Sequence, residues 1–164
     1  MTIDEITEYI QGLGGVLTLA PQRGDGSPEI SWGDLFFYYA PTGVVPHTQP
    51  FATIVTKDYP DDRTSRLDRR DVFRLNFSAS AEQFDRLTRT ERRNDVSDAA
   101  SAQQRDPSVA DALFAHPVYG ALHWVAVVNP GESTDAILLD LLRSAHSRAR
   151  ARAERRAELG DDSG

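Results

Sequence analysis

The chain has 164 residues, enough for one domain with its own core, and no cysteine, which excludes disulfides, iron–sulfur clusters, thiolate metal sites and thiol nucleophiles. Acidic residues outnumber basic ones 25 to 18, for a net charge of −7; Lys57 is the sole lysine, so no Gly-Lys phosphate loop can be written and a Schiff base could form only there. The charge is segregated, with nine acids against Arg23 and Lys57 in residues 1–62, and ten arginines against eight acids in residues 63–110.

The first ten residues carry Asp4, Glu5 and Glu8 where a signal peptide would carry basic and then apolar residues. No stretch reaches the roughly 20 apolar residues of a membrane span, so a cytoplasmic location with no membrane partner is expected. Thr2 and Glu5 have capping-box spacing, and Ile3, Ile6, Ile10 and Leu13 follow at helical intervals, which predicts an amphipathic first helix. Gly12, Gly14 and Gly15 then end it as a C-cap; they follow a helix rather than a strand, which argues against a nucleotide loop.

Val16 to Ala20 reads as a short strand, and residues 21–28, with Gly24-Asp25-Gly26, as a turn-rich loop. Three further strands are expected at Asp34 to Tyr39, Phe51 to Lys57 and Val72 to Ser78, all rich in aromatic and β-branched residues. In the last of these Phe73, Leu75 and Phe77 point one way and Arg74 and Asn76 the other, so one sheet face carries polar groups. Ser80 caps a helix to about Leu87, followed by a loop or loosely held helix over residues 88–105. Asp106-Pro107 predicts a short helix running to Phe114, and Leu122 to Val128 the final strand.

The last helix starts near Ser133 and stacks Ile137, Leu138, Leu141, Leu142 and Ala145 on one face. Run to Leu159 it would be about 40 Å long, against a radius of gyration of about 15 Å, so its end must project. Residues 148–156 alternate Arg with Ala and lack an apolar stripe, which predicts a solvated, frayed end with a disordered tail. The expected organisation is a single α+β domain over residues 1–147, followed by an Arg/Ala-rich extension over 148–164. Its architecture is a compact two-layer fold, with a mainly antiparallel sheet, helices on one face and the other face open.

Two blocks carry a family resemblance. One is Pro50-Phe51-Ala52-Thr53-Ile54-Val55-Thr56-Lys57-Asp58, continuing through Ser65-Arg66-Leu67-Asp68-Arg69 to Val72-Phe73-Arg74-Leu75-Asn76. The other is His116-Pro117-Val118-Tyr119-Gly120 with His123-Trp124-Val125 and Val128-Asn129-Pro130. Together they resemble a family of small bacterial proteins known only as a domain of unknown function, whose members span most of this length. Two positions depart from that family's pattern: Arg70-Asp71 replaces a Pro-Gly, and Ala121 stands where an aromatic is common. More distantly, the order of elements resembles the MmcQ/YjbR-like proteins, compact α+β domains suspected of binding DNA, a fold-level analogy.

Arg74 and Asn76 are the first candidate site residues, because a guanidinium fork and an amide two apart on one strand face can jointly hold a carboxylate or phosphate. The alternative is an exposed strand face with Arg74 paired to a neighbouring Asp; Arg69, with Arg66, could join the same pocket from just upstream or simply solvate the loop. Asp58, Asp61 and Asp62 form an acidic turn whose spacing lacks the alternation of a calcium loop, which reads as Asp capping. Among His47, His116, His123 and His146 none makes an HxH pair or a His-Glu-x-x-His helix, and only His116 and His123, seven apart, could converge, so no metal and no cofactor are expected. His116, beside Pro117, could cap carbonyls or act as an acid or base; His123 reads as a structural histidine. No Gly-x-Ser-x-Gly elbow is present.

Three functions fit these residues. The first is a binding module in which Arg74, Asn76, Arg69, His116, Asp58 and aromatic residues such as Trp124 or Tyr38 take an anionic or aromatic small molecule, or a protein partner. The second is an enzyme with His116 or an Asp of the 58–62 turn as acid or base beside Arg74. The third is a nucleic-acid binder, which a pI of about 5.0 argues against. The residues set no oligomeric state.

Overall fold

A computed structural model describes residues 1–94 and 106–161. The first helix, α1, is Ile3–Gly12, and its capping box is complete: Thr2 Oγ accepts from the Glu5 amide and the Glu5 carboxylate from the Thr2 amide. Gly15 then turns the chain at φ +65, where a Cβ would also meet the Tyr39 ring at 2.6 Å. The strands that follow are β1 (Val16–Leu19), β2 (Leu35–Tyr39), β3 (Ala52–Val55) and β4 (Arg74–Ser78). After them come α2 (Ala81–Asn94), β5 (Leu113–Ala115), β6 (Trp124–Val128) and α3 (Asp135–Asp161).

The strands form one antiparallel sheet in the order β1-β2-β3-β4-β6-β5. Alternation along β4 sends Leu75 and Phe77 to the helix-covered face, where they join Ile54, Val125 and Val127. Ile6 and Ile10 of α1 and Leu138, Leu141 and Leu142 of α3 close this core, with Phe84 and Leu87 of α2 at its margin. The fold is thus α+β with helices on one face, as the pattern of elements predicts.

Several of these expectations need correction. Residues 106–114 form no helix. Asp106 Oδ1 accepts from the Ser108 amide and hydroxyl in a tight turn, and Leu113–Ala115 pairs with β6 as an edge strand instead. Leu122 does not open the last strand; a 3-10 turn, Gly120–Leu122, ends at His123 in the left-handed conformation (φ 64), and β6 begins at Trp124. The helix after Ser80 runs past Leu87 to Asn94, into the stretch over 88–105 expected to be a loop or loosely held helix, whose remainder, 95–105, lies outside the described residues.

Helix α3 continues unbroken to Asp161, so the expected fraying of 148–156 does not occur. Arg148 secures the point where α3 leaves the core by donating to Gln83 Oε1 (3.0 Å), Ser144 Oγ (2.9 Å) and the Ser78 carbonyl (2.6 Å). At its other end α3 receives a cap from a distant residue. Asp111, also at positive φ, accepts from the amides of Gly131, Ser133 and Thr134 and from Thr134 Oγ.

Nor is the face opposite the helices simply open. Loops 57–72 and 106–122 fold over its β4–β6–β5 half, and Leu67, Val55, Phe114, Ala126 and Val128 bury a second small core there. The half formed by β2, β3 and Trp124 keeps a cleft.

Candidate functional site

The site begins with the register of β4. Arg74 stands opposite Val55 and Val128, and Asn76 opposite Thr53 and Ala126, so both polar side chains rise from the middle of the helix-free face. Each is 2% exposed. A guanidinium cannot be buried there without acceptors, and the flanking loops supply them. Asp62 takes two parallel bonds from the Arg74 fork, the Nη1–Oδ1 bond being 3.1 Å. Ser65 Oγ accepts from Nη1 at 3.0 Å and Asn76 Oδ1 from Nε at 2.8 Å, while Asn76 Nδ2 donates to Thr53 Oγ at 3.0 Å.

His116 reaches the same cluster from the β5 side, with Nε2 3.2 Å from Arg74 Nη2 and 3.9 Å from Asp62 Oδ2. Its other nitrogen decides the tautomer. Nδ1 lies 3.1 Å and 3.0 Å from the backbone N–H groups of Val118 and Tyr119, so Nδ1 is the acceptor and the proton resides on Nε2. Burial, and then the Arg74 charge, lower the imidazole from its ordinary 6.5 to about 4, against the opposing pull of Asp62 and Asp61. His116 is therefore neutral at pH 7, and its Nε2 faces, at 3.2 Å, the one Arg74 N–H that no oxygen accepts. Burial by itself would raise the Asp62 carboxyl, but the hydrogen bonds and charge of Arg74, helped by His116, outweigh it and hold the group below the usual carboxylate range.

This cluster lines a cavity of about 370 Å³ whose walls include Phe36 and Tyr38 of β2, Tyr119 and Trp124. Tyr119 is half exposed and packs at 4.9 Å on the His116 ring, and Asp61 stands exposed among the lining residues. Of the sequence candidates, Arg74, Asn76, His116 and Trp124 come together here. Asp58 and Arg69 do not. Asp58 accepts from the Leu67 amide (2.7 Å) while its own amide donates to Asp68, which staples loop 57–72. Arg69 lies exposed and donates to the carbonyls of Arg66, Ser65 and Ser108, tying the two loops together.

A family model spans residues 1–158. The chain belongs to DUF6194, a family of unknown function. No curated protein and no solved structure matches it. This agrees with the resemblance carried by the Pro50–Asp58 and His116–Gly120 blocks, and the match does not extend to the MmcQ/YjbR-like proteins.

In this DUF6194 chain the sequence singles out neither Ser65 nor Asp34, and it offers Asp62 only as one of the three acids of the 58–62 turn. Asp62 sat in a run of acids read as turn caps, although a buried strand arginine demands a nearby carboxylate and the next loop offers it. Asp34, immediately before β2, is fully buried and accepts from the Thr56 amide (2.8 Å), the Thr56 hydroxyl (2.9 Å), Lys57 Nζ (3.2 Å) and the Tyr59 hydroxyl. The only lysine is thereby engaged in structure. Burial, and then Asp34, push the Tyr59 hydroxyl well above its usual range. Among the described residues no three His, Asp or Glu side chains gather as a metal-ligand set, and no described helix is long and apolar enough to cross a membrane.

Proposed function

We propose that this DUF6194 protein is a small-molecule binding module whose cavity takes a planar, uncharged aromatic or conjugated body carrying a carbonyl or hydroxyl oxygen. The observation that carries the reading is an aromatic-walled cavity of about 370 Å³ standing over a polar floor whose charges cancel one another. Ligand sites combine apolar walls with a few placed polar groups, and this cavity has both. The floor does not favour an anion. Asp62 already neutralises Arg74, His116 is neutral, and Asp61 leaves the lining net negative. Every Arg74 N–H is already directed at Asn76, Asp62, Ser65 or His116, so the polar contact falls to His116, which suits one neutral oxygen, and Trp124, Tyr38 and Tyr119 offer faces on which a ring can stack.

An acid–base reading centred on His116 is less well supported. Its Nδ1 lone pair is engaged by two amides and its Nε2 is protonated, so no basic nitrogen faces the cavity at pH 7. A protein-partner reading has no separate support.

The test is binding of 1-naphthol, followed by intrinsic tryptophan fluorescence and by thermal shift, to the wild type and to Tyr38→Ala and Trp124→Ala. Saturable binding that weakens in both variants is expected. Binding that is absent, or that is indifferent to both substitutions, would sink the proposal.

A further inference from the structure

The cavity has a neighbour. Across Gln49, Pro50 and Trp124, which belong to both, a second cleft of about 610 Å³ runs between loop 47–51 and the exposed half of α3. Ala149, Arg152 and Arg156 form its helical wall, and Tyr39 and His47 lie opposite.

The charge pattern of α3 gives this cleft its character. At about 100° per residue, Arg148, Arg152, Arg155 and Arg156 fall within a sector of about 100°, while Glu154 and Glu158 fall within about 40° on the other side. A helix end that is merely solvated would mix the signs at i,i+4 spacing, as Arg150 and Glu154 do at 2.8 Å. Here like charges are stacked instead. Arg152 stands four residues from both Arg148 and Arg156, an arrangement that is unfavourable by itself. Burial, and then the Arg152 charge, lower the Arg148 guanidinium from its ordinary value, so the repulsion is felt. Among the described residues neither Arg152 nor Arg156 is within ion-pair distance of a carboxylate, whereas Arg74, Arg89, Arg143 and Arg150 all are. Arg148, half-buried, is held only by neutral acceptors, and its Nε is buried without a partner. In a chain of net charge −7, this is a local surplus of cations gathered beside an indole.

We propose that this second cleft is an oxyanion subsite, in which Arg152 and Arg156 hold the phosphate or carboxylate of the same ligand whose planar body occupies the neighbouring cavity. The inference rests on the cavity reading for the body of the ligand and adds its acidic end. Guanidinium forks suit both oxyanions, and the shared Trp124 wall lets one molecule lie across the two spaces. Anion recognition thereby moves from Arg74, whose charge is already satisfied, to arginines whose charge is not.

Titration calorimetry with 1-naphthol, 1-naphthyl phosphate and 1-naphthaleneacetate tests this on the wild type and on the Arg152→Gln/Arg156→Gln double variant. Both positions are exposed, so the fold should be retained, and circular dichroism verifies it. On the wild type both acids should bind more tightly than naphthol, the phosphate by about tenfold. The double variant should erase that gain and leave naphthol binding unchanged. The phosphate and acetate arms separate the two oxyanion sources. Naphthol binding without a gain for either acid, or with a gain that survives the double variant, overturns this inference alone. Failure of naphthol to bind at all overturns the cavity reading and the shared ligand with it. A single-stranded oligonucleotide that binds more tightly than the aryl phosphate, with the same arginine dependence, overturns it in favour of nucleic acid.

Discussion

The two faces of β4 are buried to the same degree and held by different forces. On one face Leu75 and Phe77 are fully buried against helices, stabilised by removal of apolar surface from water and by close packing. On the other, Arg74 and Asn76 are 2% exposed under loops, and their stability depends on every donor finding an acceptor. Burial alone therefore does not distinguish a core from a site. What distinguishes them is whether the covering element brings dispersion or hydrogen bonds, and it is the second face that lines the cavity.

The largest effect should come from breaking the polar face. Asp62→Ala should cost about 3–5 kcal/mol in chemical denaturation by leaving Arg74 buried without its partner, whereas the apolar pair Asp62→Leu/Arg74→Met should recover most of that loss. If the single and double variants are equally unstable, the ion pair is not what closes this face. Leu75→Ala on the helix face should cost about 2–5 kcal/mol, with no apolar partner substitution able to restore it in the same way.

The pH dependence sharpens the contrast, because the polar face carries His116 and Asp62, whose pKa values folding lowers. His116 is lowered from 6.5 to about 4 in the folded chain, so the unfolded chain binds the proton more readily between those values. Its contribution is complete above about pH 6.5 and falls away as the pH drops towards 4, by an amount on the order of 3 kcal/mol. Asp62, also lowered, adds a further loss below its ordinary 3.8 as the pH falls through its folded value. Denaturation midpoints measured between pH 7 and 4 should slope in the wild type and flatten in His116→Gln; an unchanged slope would falsify the assignment.

A smaller effect, about 1 kcal/mol, is expected for Asp111→Ala, which removes the remote cap of α3. Burial would raise this carboxyl, but the bonds from Thr134, Ser133 and Gly131 take it down to about 2, so Asp111→Asn should resemble wild type more closely than Ala does. Smallest in stability is Tyr38→Ala on the cavity wall, expected to stay within about 1 kcal/mol while removing most naphthol binding.

Much of the frame was legible in the residues. The Thr2–Glu5 capping box, the β2, β3 and β4 strands, the alternation of Arg74 and Asn76 against Leu75 and Phe77, and the apolar stripe of α3 are all local patterns that short-range physics enforces. The misread elements were those whose local signals compete. Asp106-Pro107 has helix-start chemistry, but Leu113–Ala115 gains more by pairing with the free side of β6. The Arg/Ala run of α3 lacks an apolar stripe, yet Arg148 fastens its base to the sheet.

By itself, then, the sequence determined the element types and which face of β4 is polar, since both follow from period and propensity over a few residues. The tertiary structure alone decided that Asp62 and His116 meet Arg74, 12 and 42 residues away in sequence, so that its charge is neutralised inside the protein. It alone also decided that Arg152 and Arg156 of α3 come to stand beside Trp124. Loop closure over those separations leaves no periodic trace in the chain, because what fixes it is the need of one buried cation for acceptors and not any pattern among neighbours.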